Sequence, residues 1–160
     1  MATALAALMS LPSVSLAPHA TPIDELKRLR ESLGARCPQL FMKRDDLLSF
    51  AMGGNKVRKM QLVAAEALAE GADTLVTCGG IQSNHARVTA AAGAARGLDV
   101  TLVLNGTPQE IATGNARLDH LFGATVTAVS AREDRDAAMA PVAAELSAAG
   151  RRPFVVPLGA

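Results

Sequence analysis

Beyond residue 56 the chain repeats one pattern: a helical stretch closed by a glycine, then a short apolar run. Val57–Glu70, Asn84–Arg96, Thr113–Phe122 and Arg132–Ala149 read as helices, stopped by Gly71, Gly97, Gly123 and Gly150. In the first of them Val57, Met60, Val63, Ala64, Ala67 and Leu68 recur at threes and fours. Pro141 predicts a kink or break in the last. Thr74–Cys78, Val100–Leu104, Ala124–Val129 and Pro153–Val156 are the runs that follow, and they are continuously apolar rather than alternating. Such strands are covered on both faces, which requires helices on each side of a parallel sheet. The expected fold class is α/β, a three-layer αβα sandwich with a mostly parallel sheet. Ligands of such sheets lie beyond the carboxyl ends of the strands.

The first third is less regular. Met1–Thr21 reads as irregular, interrupted by Pro12 and Pro18. Pro22 suits a first helical turn with Thr21 as its cap, so Ile23–Leu33 is predicted as a helix stopped by Gly34. Gln39–Lys43 reads as a strand, and Arg44-Asp45-Asp46 as a charged turn in which the carboxylates offset Lys43 and Arg44. The length of 160 residues allows one domain or little more, and 49% apolar residues supply a core. With four Phe as the only aromatics, that core must be built from Ala, Val, Leu and Met. A net charge of +1 with interspersed signs argues against nucleic acid or a membrane surface as partner. Cys37 and Cys78 have neither metal nor redox spacing and read as reduced thiols. The apolar start Met1–Leu16 lacks a basic leader and is cut by Pro12, which disfavours a secretory signal. No apolar stretch approaches the roughly 18 to 20 residues of a membrane span. A soluble, cytoplasmic protein is expected.

Two glycine-rich motifs carry the chemistry. In Gly53-Gly54-Asn55-Lys56-Val57-Arg58-Lys59 the glycines permit unusual dihedrals and Asn55 is placed to cap a helix. Lys56 then stands at a loop-to-helix junction among three cations within four residues. Crowding by like charge and partial burial lower a lysine's pKa and make it a nucleophilic amine. The same residues also describe a solvated basic helix start. One βα unit on, Gly79-Gly80-Ile81-Gln82-Ser83-Asn84-His85 follows a strand as a glycine turn and opens a helix. Its N–H groups offer an anion site, and Ser83 and Asn84 add donors and acceptors. An ordinary βα loop with a Ser/Asn cap fits it equally. The lysine motif lacks P-loop spacing, and no GxGxxG fingerprint occurs. His19, His85 and His120 are dispersed without partners at ligand spacing, so no metal is expected. Cys78 reads as a small buried residue, and Arg132–Asp136 as a solvated first turn. Together the motifs pair an amine nucleophile with an anion-binding loop, as a Schiff-base aldehyde cofactor and an amino-acid carboxylate require.

Lys43-Arg44-Asp45-Asp46, the lysine motif, the Gly79–His85 motif and Thr113-Gly114-Asn115 resemble, in order and spacing, the pyridoxal-phosphate enzymes of the D-cysteine desulfhydrase and 1-aminocyclopropane-1-carboxylate deaminase family. The resemblance implies the tryptophan-synthase-β-like fold, fold type II. Residues 1–56 would be the N-terminal segment of the large domain and residues 57–160 the small α/β domain. The rest of the large domain would be absent, so the chain reads as an N-terminal half. It implies Lys56 as the residue joined covalently to pyridoxal phosphate, with Asn55, Lys59 and Asn84 in cofactor binding: Lys59 at the phosphate, Asn84 at the phenolic oxygen. Ser83 would assist proton transfer near the substrate, and Gln82, Ser83, Asn84 and His85 would hold its carboxylate. Histidine after Ser-Asn resembles the desulfhydrases, where the deaminases typically carry Gln. The implied activity is a lyase releasing pyruvate, sulfide and ammonia from D-cysteine. The alternatives are 1-aminocyclopropane-1-carboxylate deamination to 2-oxobutanoate, a cysteate sulfo-lyase, and an inactive truncated binding or partner module. The resemblance also implies a homodimer at full length, and for this chain alone weak or absent cofactor binding and an exposed apolar face where the large domain would pack.

Overall fold

The computed structural model describes residues 2–106 and 113–157. Its elements are helix α1 (Ala2–Met9), strand β1 (Ile23–Glu25), α2 (Lys27–Leu33), β2 (Phe41–Lys43), a 3-10 turn (Asp45–Leu47), α3 (Lys56–Ala69), β3 (Thr74–Gly80), α4 (Asn84–Arg96), β4 (Asp99–Asn105), α5 (Gly114–Leu121), β5 (Thr125–Val129), α6 (Asp134–Ala148) and β6 (Pro153–Val156). The last four strands form one parallel sheet in the order β5-β4-β3-β6. The chain moves outward from β3 to β5 and then returns to the other side of β3. That reversal is the topological switch point, at whose carboxyl ends open α/β sheets bind their ligands.

Burial explains the layers. On one face Leu75, Val100, Leu102 and Leu104 of the sheet pack against Ala86 and Ala90 of α4. On the other, Val76, Cys78 and Val103 pack against Met139 of α6. Small residues let α4 approach closely: a Cβ at Gly93 would stand 2.2 Å from a Val100 methyl. Helix α3 forms a further cover on α4, through Val57 and Met60 against Val88 and Ala92. The core is aliphatic, as the shortage of aromatics requires.

Several expectations are corrected. Ile23–Glu25 is not helical; it pairs antiparallel with β2, and the helix begins only at Lys27. The backbone decides this, because Leu26 N–H bonds to Leu40 C=O and Arg44 N–H to Pro22 C=O, tying the segment to its neighbour. The stretch before Thr21 is not wholly irregular, since it contains α1. Gly79 and Gly80 belong to β3, where Gly80 pairs with Asn105, and the turn falls at Ile81–Ser83. Pro141 lies inside an unbroken α6. Arg135 is buried, with Nε donating to Arg132 C=O, so the start of α6 is not simply solvated. Cys78 is fully buried, as expected.

Candidate active site

The loop before Lys56 is left-handed over four residues: Ala51 (φ 49°), Met52 (63°), Gly53 (72°) and Gly54 (98°). For the two non-glycine residues this costs of order 1–3 kcal/mol each. At Gly53 the path also excludes any side chain, because a Cβ would lie 2.6 Å from Asp46 C=O. Two groups hold the loop. Asp45 C=O accepts Gly54 N–H at 2.7 Å, while its carboxylate receives the Arg58 guanidinium at 2.7 Å and the Thr21 hydroxyl at 3.2 Å. From the opposite side, Arg87 Nη2 donates to Gly53 C=O at 2.8 Å. The Arg58 hydrogen bond, followed by its charge, holds the Asp45 carboxyl below the usual carboxylate range. Asp45 thus serves the lysine loop rather than Lys43 alone, and Asp46 pairs with Arg44 at 2.7 Å. Asn55 precedes α3 but makes no side-chain cap, correcting that expectation; its own φ and ψ are already helical. Lys56 emerges half-buried at the first helical position.

The second motif opens α4. Ser83 is its cap, with Oγ accepting from His85 N–H (3.2 Å) and Ala86 N–H (3.3 Å). Two N–H groups that the sequence assigned to an anion are therefore taken by Ser83. Gly79 makes room for this residue, since a Cβ there would stand 2.8 Å from Ser83 Oγ. Gln82 is exposed and tied to the third motif: its Oε1 accepts Asn115 N–H at 2.8 Å and its Nε2 donates to Thr113 C=O. Asn115 Nδ2 donates in turn to Gln82 C=O (2.7 Å) and Asn84 Oδ1 (3.1 Å). Gly114 stands at φ 56°, where other residues are strained, and a Cβ there would push the Gln82 amide from its place, meeting Oε1 at 2.4 Å. Asn84 is exposed, and its Oδ1 also accepts from Arg87 at 2.8 Å.

His85 is turned inward rather than toward the loop. Its Nε2 lies 2.8 Å from Thr77 Oγ1, and that hydroxyl donates its one proton to Val156 C=O at 2.8 Å. The hydroxyl can then only accept, so Nε2 carries the imidazole proton and the buried Nδ1 has no partner. Burial, then the charges of Lys59 and Lys56, push the imidazole down to about 4. Lys59, one turn from Lys56, is lowered by burial first and by the Lys56 charge second. The site therefore combines an amine, a second cation whose charge is disfavoured, and a positive field. An aldehyde bearing a phosphate fits that set chemically: Lys56 can condense with the aldehyde, and an anion relieves the crowding of the two cations.

All three motifs meet, but at a residue that sequence reasoning missed. Arg87 lies in α4, is only 7% exposed, and binds Gly53, Asn84 and Asn115 together. Asp119, fully buried on α5, interacts with it through charge; burial raises its carboxyl to about 7 against the pull of Arg87, so it compensates Arg87 only in part. The available signals were charges inside the alanine-rich helix and inside Gly114–Leu121, one turn after Asn84 and Asn115 respectively.

Residues 14–160 match the family described as pyridoxal-phosphate dependent enzyme. The chain belongs to that family. It is 45% identical over 157 residues to a D-cysteine desulfhydrase of Serratia proteamaculans (strain 568), and 43% identical to one of Yersinia enterocolitica. Each alignment covers 95% of this chain and 47% of the relative, so the chain spans about half the length of the curated relatives it matches. A solved structure described as an ACC deaminase homologue superposes with a TM-score of 0.86 and 38% identity, over 96% of this chain and 46% of the other.

Proposed function

We propose that this chain is the lysine-bearing half of a pyridoxal-phosphate dependent lyase that degrades a small amino acid, with D-cysteine as substrate and pyruvate, sulfide and ammonia as products. The identity to D-cysteine desulfhydrases supports the substrate. The observation that carries the chemistry is Lys56 on a strained loop held between Asp45 and Arg87, beside Lys59 and across from the Asn84 loop. Lys56 is the amine that bonds the cofactor, and when displaced it is the base that takes the substrate α-proton. Lys59 neutralises the phosphate, with Asn55 at the same helix start. Asn84 orients the ring through its amide. Gln82, Ser83 and Asn84 bind the substrate carboxylate, and Ser83 assists proton transfer beside it. His85, buried and bonded to Thr77, stays outside that set as a neutral group. When bound, the cofactor supplies an electron sink for the carbanion left at Cα.

The division at residue 56, with a further domain completing the site, follows the same reading, as do a cytoplasmic location and a homodimer at full length. Among the described residues no helix is long and apolar enough to cross a membrane. The second reading is a 1-aminocyclopropane-1-carboxylate deaminase, favoured by the structural neighbour. Incubation with pyridoxal phosphate, borohydride reduction and peptide mapping test the proposal. In the full-length enzyme label concentrated at Lys56 is expected; label scattered over Lys27, Lys43 and Lys59, or none, overturns it. Sulfide from D-cysteine against 2-oxobutanoate from the cyclopropane substrate separates the two readings in the full-length enzyme.

A further inference from the structure

We infer that Arg87 is the positioning residue of this site: its guanidinium sets the Lys56 loop in register with the Asn84 loop and so decides where the Lys56 amine stands. The inference rests on the cofactor reading above only for what Lys56 does, not for the clamp itself. Helix α4 brings Asn84 and Arg87 to one side, three residues apart, and α5 brings Asn115 and Asp119, four apart. Nη1 of Arg87 divides its protons between Asn84 Oδ1 (2.8 Å) and Asn115 Oδ1 (2.9 Å), while Nη2 reaches Gly53 C=O (2.8 Å). The planar guanidinium fixes the angles among these three acceptors, which a lysine ammonium on a flexible stem does not.

A clamp is needed because the loop resists its own geometry. Ala51 and Met52 stand in the left-handed region, and Met52 is 74% exposed, so packing of its side chain does not hold it there. The Gly53 carbonyl is the last acceptor but one before Asn55, and Arg87 is the group that takes it. The guanidinium is desolvated, which lowers its pKa, and Asp119 partly compensates through its charge. Asp119 reaches it without a hydrogen bond, since both of its carboxylate oxygens are buried without one. Arg87 therefore stays charged at low solvent exposure, where a charge-assisted bond to a carbonyl is strongest.

Two variants of the full chain test this: Arg87→Lys, which keeps the charge, and Asn115→Ala, which leaves Arg87 in place but removes one of its acceptors together with the Nδ2 donor to Gln82 C=O and Asn84 Oδ1. Amide hydrogen exchange reads the loop through Gly54 N–H, which bonds to Asp45 C=O. Pyridoxal-phosphate labelling with borohydride reads the amine, as the ratio of label on Lys56 to label on Lys27. For Arg87→Lys we expect exchange in residues 51–56 to rise about tenfold, as loss of one charge-assisted hydrogen bond implies, with β3 and β4 unchanged. The labelling ratio falls with it. Asn115→Ala gives the same pattern, smaller. Unchanged exchange and ratio in both variants, or exchange raised equally throughout the chain, overturns the inference. If the unsubstituted chain never labels Lys56, this chain alone forms no cofactor site, while the exchange result still decides the clamp.

Discussion

The β1–β2 ribbon and the β3–β6 sheet both carry large apolar side chains, yet these reach opposite states. In the sheet, Leu75, Val76, Leu102 and Val103 are wholly buried between α4 and α6. In the ribbon, Ile23, Phe41 and Met42 remain 63%, 59% and 46% exposed. The same holds for helices: α4 buries most of its length, whereas α2 buries nothing and leaves Leu29 and Leu33 in solvent. The difference lies in cover, not in propensity. The central strands β3 and β4 have α4 and α6 on their two faces, whereas Ile23, Phe41 and Met42 of the ribbon stay exposed. The two regions touch mainly through Leu16 and Leu48 against α3 and through the Asp45–Arg58 pair. The lysine loop lies at that seam.

Substitutions can break this contrast. Leu102→Ala should destabilise the chain by about 2–5 kcal/mol, the cost of emptying a closed aliphatic core, measured by urea or thermal unfolding. Acid should then separate the regions by pH. Asp119, raised to about 7, holds in the folded state a proton that the unfolded chain releases, so stability falls as pH rises from about 4 to 7. His85, lowered to about 4, refuses in the folded state a proton that the unfolded chain takes up below about 6.5, so stability rises with pH there. The two slopes oppose each other. Asp119→Asn should expose the His85 slope alone, giving a steeper loss of stability on acidification from about pH 6.5 to 4. An unaltered slope would mean that one of these groups is not buried in solution. Both slopes belong to the second region. The first responds only below the ordinary carboxylate range, where Asp45 takes up a proton and gives up Arg58. The smallest effect is expected for Leu33→Ala, within about 0.5 kcal/mol, because nothing covers that side chain. A larger loss would show that α2 is packed in solution.

Much of the second region was legible in the sequence. The continuous strands, the glycine stops and the start of α4 at Asn84 follow from burial on two faces, from left-handed helix ends such as Gly97 (φ 69°), and from the Ser83 cap. The Ile23 segment was misread because Thr21-Pro22 is a sound local helix signal, overridden by backbone bonds to residue 40 and beyond. Asn55 was read as a cap on residue type alone, though its side chain has no N–H of α3 to meet.

The sequence by itself determined the class of fold and the chemistry on offer: an amine among cations, a capped helix start and three motifs in a set order. Local periodicity and residue type suffice for that, since they act over a few neighbours. Only the tertiary structure decided that Arg87 joins the three motifs and that His85 faces Thr77 instead of the loop. Those outcomes depend on side chains brought together across 28 to 34 positions, or on which face of a helix meets the sheet. No local pattern encodes either.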